Sequence, residues 1–355
     1  MGTTLEMPNI RFLFESAGLR AIQRADRGIA LVILKDTKAV SKTYSSLADV
    51  KEEEYSKENY RIIQDMFEFS PFLVKVETYN EERTLDKLLK DLILQRFNYY
   101  CAPTLDETEK KKVLSWHKNI TKVKQKTIKF VTSDIKDSSY FLLNWEEEWV
   151  DYDGRKYTKE EFTPILTSAV CSLQRRSLTY FKFKKITDCS LTFAEDENKA
   201  VSEGKLFLTY DGENYKIGRG VNAYTEINEN QGEDFCKIKI VDSLHLVQDS
   251  IRDTFSEYYV GQVTNSYDNK KQFLNLINRV FLPTLYGEIL EAEGNNYLEI
   301  DIEANRKYAI TRKADVDNMT EEQIKRYNTG SNLFVKGKLS VLDAMEDLNV
   351  NFFLE

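Results

Sequence analysis

Histidine and cysteine are scarce in this chain of 355 residues, which holds two histidines, His117 and His245, and four cysteines, Cys101, Cys171, Cys189 and Cys236, with no CxxC pair. That scarcity leaves no ligand set with the spacing of a structural zinc site, so no metal is expected. Each cysteine is flanked by apolar or strand-like sequence and is expected as a reduced, buried thiol, which points to a reducing compartment. With only 14 glycines and 5 prolines, no low-complexity tract, no fixed-period repeat and no Gly/Ser linker, any domains are expected to be closely docked. No run reaches the roughly 18 apolar residues of a membrane span, and MGTTLEMPNI lacks the basic region and apolar core of a secretory signal. Synthesis and folding in the cytoplasm are therefore expected. Positive charge is not in excess either: 50 basic against 58 acidic residues give a net charge of -8, no field to draw in phosphate backbones or anionic lipid. Neither nucleic acid nor membrane insertion is expected.

What is present is 41% hydrophobic and 30% charged residues, the balance of a folded chain, in a length suited to about two domains. Leu5, Met7, Ile10, Phe12 and Phe14 come close to alternation, with Pro8 interrupting, and read as an extended arm. Asp26-Arg27-Gly28 then turns the chain into Ile29 to Leu34, a continuous apolar run expected as a central strand buried on both faces. Helices over 45–69, 84–96, 104–122 and 158–173 alternate with strands over 72–77, 98–102, 127–131 and 144–152, the pattern of a parallel sheet. After residue 176 the character changes. Strands are expected over 178–183, 204–210 and 215–227, the last two joined by an Asp211-Gly212 hairpin turn. Helices follow over 234–259 and 270–290, then a strand over 297–303. Leu348, Val350, Phe352 and Leu354 alternate strictly and predict a terminal strand. The expected fold class is α/β plus α+β, two closely docked domains with extended N- and C-terminal β-strand arms: an arm over 1–25, an α/β domain over 26–176, an α+β domain over 177–336 and an arm over 337–355.

The chemical motifs are weak. Gly218-Arg219-Gly220-Val221-Asn222-Ala223 fits GxGxxA, but a dinucleotide fingerprint must open a helix, and Tyr224 to Ile227 carry strand-forming side chains. No GxxxxGK[ST] phosphate loop exists, so no cofactor is expected. Asp151, Asp153, Gly154 and Glu160 align with a calcium loop only by placing the indole of Trp149 in the first ligand position, so a polar turn is expected instead. His117 falls inside a helix and His245 beside an apolar stripe, and neither accompanies a nucleophile elbow. Glu146-Glu147-Glu148 alternate in direction on an expected strand and read as a solvated edge or charged interface. Lys110 to Lys112, Lys118, Lys122, Lys124 and Lys126 read as a solvated helix face. The alternative that survives is an α/β enzyme with an unrecognised ligand site in the first domain, which a convergent polar pocket at the C-terminal ends of the parallel strands would distinguish.

Several stretches carry a resemblance. SLTYFKF at Ser177 to Phe183, GKLFLTYDGENYKIGRGVNAYTEIN, the helix IVDSLHLVQDSIRDTFSEYYVGQVTNS and the ending VLDAMEDLNVNFFL resemble contractile phage tail sheath proteins, as does DRGIALVILKD near the N-terminus. Asp343, Ala344, Met345, Glu346 and Leu348 match the family's closing motif, and Asp347 replaces its usual lysine. The short chain is similar to the compact sheaths of phage-like elements and R-type bacteriocins, diffocin-like in scale. The resemblance implies a homo-oligomer of hexameric rings stacked around an inner tail tube and nucleated at a baseplate. Such a particle is assembled in the bacterial cytoplasm and released as a phage tail or bacteriocin, and it contracts without hydrolysing nucleotide. It implies arms that add strands to neighbouring subunits' sheets, through Ile10, Phe12 and Phe14 at one end and Leu348, Val350, Phe352 and Leu354 at the other. It also implies a largely charged tube contact, for which Lys270 and Lys271 are the candidates. Burying four apolar side chains yields roughly 1.5 to 3 kcal/mol each, against about 1 to 2 kcal/mol per residue for ordering the backbone, so the arm is near balance until it gains a partner's sheet edge.

Overall fold

The computed structural model describes residues 28–173, 176–229 and 231–353. The expected N-terminal arm, with Ile10, Phe12 and Phe14, and Leu354 at the other end lie outside the described residues. The described residues fall into two compact units, 28–245 with 344–353, and 246–343. The change of character at 176/177 thus lies inside the first unit, and the chain passes to the second within a long helix, Ile238–Tyr258.

The first unit is organised by seven strands: β1 Ile29–Lys35, β2 Ser41–Tyr44, β3 Leu73–Tyr79, β4 Tyr99–Cys101, β5 Lys129–Ser133, β6 Leu142–Trp145 and, further along, Lys205–Leu206. Their order across the sheet is Lys205–Leu206, β6, β5, β4, β1, β3, β2. All neighbours are parallel except the edge strand β2, which pairs antiparallel with β3. The apolar run IALVIL becomes β1 because it sits mid-sheet and needs apolar side chains in both directions: Ala30, Val32 and Leu34 enter one core, Ile29, Leu31 and Ile33 the other. The turn into β1 requires glycine. Gly28 has φ +54°, and a Cβ there would stand 2.2 Å from the carbonyl oxygen of Cys171.

Helices α1 Lys57–Met66, α2 Leu85–Leu92, α3 Glu107–Val123 and α4 Lys159–Ser172 cover the sheet. Ile63 and Met66 of α1 and Phe162 and Ile165 of α4 join Ala30, Val32 and Leu34 in the first core. In the second, Leu88 and Leu89 of α2 and Val113 and Ile120 of α3 join Leu31 and Ile33. Capping boxes start two of these helices, Asp106 with Glu109 on α3 and Thr158 with Glu161 on α4. Pro164 lies inside α4, and the Thr163 hydroxyl donates to the Glu160 carbonyl (2.7 Å), the acceptor that the missing proline N–H leaves open.

Several expected elements are cut shorter. The helix expected over 45–69 is only α1, preceded by β2 and two 3-10 turns, because Ser46 and Ser56 each cap a new start with their side chains. The strand expected over 144–152 is two strands in different sheets. β6 ends at Trp145, and β7 Trp149–Tyr152 joins β8 Arg155–Thr158 and β9 Ile186–Cys189 in a three-stranded antiparallel sheet. Asp153 and Gly154 make the β7–β8 turn with φ +52° and +76°, the polar turn expected there. Of residues 178–183, the first three form a turn with Tyr180 at φ +57°, and the rest pair with 215–217 through a single antiparallel bridge, Lys182 to Lys216, short of a full strand. After helix α5 Glu197–Ser202, the stretch 204–210 divides into β10 Lys205–Leu206 and β11 Leu208–Tyr210, and β12 Tyr215–Ile217 ends well short of residue 227. The Asp211-Gly212 hairpin forms as expected: the Asp211 carboxylate accepts from the Glu213 and Asn214 amides and from Lys216, whose contact holds its pKa well below the usual carboxylate range.

The second unit contains the later part of α6 Ile238–Tyr258, then α7 Tyr267–Leu276 capped by Ser266. The helix expected to reach residue 290 passes instead into a π turn at Ile277–Phe281 and a 3-10 turn at Leu282–Leu285, where Pro283 cannot continue an α ladder. β13 Tyr297–Ile300 pairs antiparallel with β14 Val335–Lys338, and between them lie α8 Ile302–Thr311, capped by Asp301, and α9 Glu321–Arg326, capped by Thr320. Past Lys338 the chain is held against 289–291 through Leu342 N–H to the Ile289 carbonyl (2.8 Å) and Glu291 N–H to the Ser340 carbonyl (2.9 Å).

Candidate functional site

The C-terminal ends of the parallel strands do carry a cleft, of about 370 Å³, lined by Leu105, Asp106, Lys110, Ser133 and Glu160 among others. Its polar groups answer one another: the Ser133 hydroxyl donates to Glu160 (2.8 Å) and lies 3.4 Å from the Lys110 ammonium. The two helix N-termini beside it, of α3 and α4, are already supplied with carboxylates by Asp106, Glu109 and Glu161, which leaves no positive terminus for a phosphate. His117 is buried beside the Tyr100 hydroxyl (3.1 Å), and burial pushes its imidazole down to about 3, so it stays neutral near neutral pH. No group of metal-ligating side chains occurs among the described residues.

The GxGxxA stretch has a different use. Gly218 passes under the Phe207 ring, where a Cβ would stand 2.7 Å from ring carbons, and the Gly220 N–H donates to the Thr179 hydroxyl (2.9 Å). Between them Arg219 reaches the C-terminal segment, with Nη2 2.7 Å from Asp347 Oδ2 and Nε 3.2 Å from Glu346 Oε2. The other carboxylate oxygen of Glu346 accepts from Ser177 Oγ (2.6 Å) and Thr179 Oγ1 (2.7 Å). Three side chains from two separate stretches, Ser177 and Thr179 from one and Arg219 from the other, thus converge on one pair of acids. Asp347, which stands where the resemblance implies a lysine, shares the Arg219 cation with Glu346.

Beyond that pair the chain is apolar and open. Leu348, Phe352 and Phe353 are 86%, 88% and 92% exposed, Val350 is also exposed, and 348–353 form no strand in the single chain. The terminal strand expected there is not formed in the single chain, and an isolated strand would leave its backbone groups unpaired. An edge that could receive a strand exists in the second unit. Among the described residues β14 pairs only with β13, whereas Leu298 of β13 exchanges N–H and C=O with the Asn278 side chain (2.8 Å each). Because Leu298 faces Gly337 across the ladder and turns its backbone groups outward, Gly337 and Val335 turn theirs outward on the other side of β14.

Of the two candidate lysines, Lys271 is exposed, 3.6 Å from Asp268 and 4.9 Å from the centre of the Tyr267 ring. Lys270 is 4% exposed and its ammonium donates to the Thr329 hydroxyl (2.8 Å), a burial that lowers its pKa. Lys112 and Lys118 lie on a solvated face of α3, on Asp86 (2.9 Å) and Asp137 (2.8 Å), whereas Lys110 turns into the cleft with a side chain only 12% exposed. Glu147 corrects the reading of the acidic triplet: it is fully buried, taking hydrogen bonds from Ser190, Thr192 and the Leu208 N–H.

Across 351 residues the chain is 31% identical to the tail sheath protein of Clostridium phage phiCD119, a match spanning 96% of this chain and 98% of that one. Its fold is similar to that of the sheath tail protein of Listeria innocua, with a TM-score of 0.68 at 13% identity over 84% of this chain and 94% of the other. It is also similar to the sheath tail protein of Desulfitobacterium hafniense, with a TM-score of 0.64 at 12% identity over 78% and 90% of the two chains. A chain of the anti-feeding prophage baseplate gives a TM-score of 0.67 at 10% identity over 93% and 94%. No family model matches the sequence. The structural likenesses speak for the fold; the full-length sequence match carries the assignment, and the chain belongs to the tail sheath protein family.

Proposed function

We propose that the chain is the repeating subunit of a contractile tail sheath, polymerising as hexameric rings around an inner tail tube from a baseplate and contracting to drive the tube through a target cell envelope. The observation that carries this reading is the stretch 348–353, apolar, exposed and unpaired beyond an anchored acid pair, in a chain that belongs to the sheath family. Assembly takes place in the bacterial cytoplasm, and the product is a phage tail or bacteriocin particle. Leu348, Val350, Phe352 and Leu354 insert into a neighbour's sheet, and the N-terminal Ile10, Phe12 and Phe14 do the same at another contact. The open side of β14 is the receiving edge, and its Lys336 and Lys338 discourage pairing with the wrong strand.

Contraction rearranges these contacts and requires no catalysis. Tube contact runs through exposed charge on α7, with Lys271 available and Lys270 bound to Thr329. Incubating the chain with tube protein and baseplate tests the function: ordered tubular polymers of tube length are expected by negative-stain microscopy, and a persistent monomer would contradict it. Lys271→Glu is expected to weaken co-sedimentation with tubes severalfold while leaving the fold intact; unchanged binding removes the tube role of this lysine.

A further inference from the structure

We infer that Arg219, with Ser177 and Thr179, is a latch that pins residues 346–347 to the chain's own body, so that the apolar stretch 348–353 pivots at Asp347 and is held out to a second copy of the chain. The identity of the recipient rests on the sheath reading; the latch itself does not. Three observations carry it. Glu346 is the last described residue that is not exposed, since every position from Asp347 to Phe353 is open to solvent. Its carboxylate is held on both oxygens, by the two hydroxyls at 2.6 and 2.7 Å and by Arg219 at 3.2 Å, and its side chain is 8% exposed. Met345, immediately before it, is fully exposed, so the segment is fastened by charge-assisted hydrogen bonds and not by apolar packing.

The seat is built for this. Gly218 and Gly220 allow the backbone around Arg219 to pass closely under Phe207 and beside Leu178, and the Gly220 N–H fixes the Thr179 hydroxyl that meets Glu346. A pivot at Asp347 limits the reach of the arm. At about 3.3 to 3.6 Å per residue, Phe353 can lie at most about 20 Å from the latch, so the edge it joins must approach Arg219 within that distance. The outer pair, Arg219 with Asp347, is the more solvent-exposed and is weakened by salt first.

The test uses the full, unassembled chain with Cys236→Ser, leaving three buried cysteines, and spin labels on Tyr210→Cys and Asn349→Cys. Pulsed electron-spin distances should give one narrow distribution in the otherwise wild-type chain, at least twice as broad after Arg219→Ala, and intermediate after Glu346→Gln. A control pair on Leu94→Cys and Tyr210→Cys should be unaffected by Arg219→Ala, which separates release of the arm from loss of fold. A distribution already broad with Arg219 present, or equally narrow without it, overturns the latch. Because no polymer is involved, this outcome is independent of whether sheaths form.

Discussion

Glu147 is a buried acid whose four donors come from residues 190–208, and that dependence sets its value to the fold. Glu147→Ala leaves the buried Leu208 N–H without its acceptor, at about 1 to 3 kcal/mol for an unsatisfied buried group, while the N–H of the exposed Thr192 can turn to water. A lower urea midpoint with unchanged slope is expected; a midpoint within error of wild type would show that water replaces the carboxylate. Asp65 acts in the opposite sense. Burial raises its pKa to about 6, against the lowering influence of Tyr157, Arg155 and Arg61, with Glu68 also facing it. A carboxyl whose folded pKa lies above its unfolded value favours folding below about pH 4 and loses that contribution as pH rises through about 6. Asp65→Asn should therefore gain stability relative to wild type between pH 4 and pH 7, on the order of 2 to 3 kcal/mol. A difference that stays flat with pH contradicts the assignment. Neither residue was legible as special in the sequence, because their hydrogen-bond partners lie 43 to 92 positions away. Asp211 and Asp153 were legible, since their turns are made by adjacent residues.

At the scale of elements, β1 and the amphipathic α2 could be read because burial on two faces or on one stripe leaves its period in the sequence. β2, α8 and α9 were missed: their sequences, SKTY, IEANRKYAIT and EEQIKR, are largely polar and carry little apolar period. The stretch 204–210 looked like a single strand because strand-forming side chains continue through Phe207, where the backbone changes sheets, and 144–152 did so because Glu146 to Glu148 hold no glycine or proline to mark the same change. β14 yields a prediction at this scale. Val335→Pro removes an outward N–H while sparing the ladder to β13, as an edge strand tolerates. It should leave the thermal unfolding of the chain nearly unchanged and reduce polymer yield at least tenfold. Polymer of normal length would exclude this edge as the receiving one.

At the scale of the molecule, the family and the mixed α/β character were legible, the first from the closing motif and the second from strand and helix alternation. The division into units was not. Residues 177–245 contribute β10 to the seven-stranded sheet and β9 to the smaller one, and they seat Glu346, so they pack with the first unit although their composition changes at 177. Long-range pairing of this kind leaves no local trace. The C-terminal segment, by contrast, shows in the sequence as alternation and in the single chain as exposed apolar side chains, the pattern on which the proposed strand exchange rests.

The most direct measurement compares the intact chain with one truncated after Asp347, which keeps the latch and removes the apolar stretch, by negative-stain electron microscopy in the presence of tube protein. The account predicts ordered tubes from the intact chain and only folded, unpolymerised subunits from the truncated one. Tubes of equal length and order from both would contradict it.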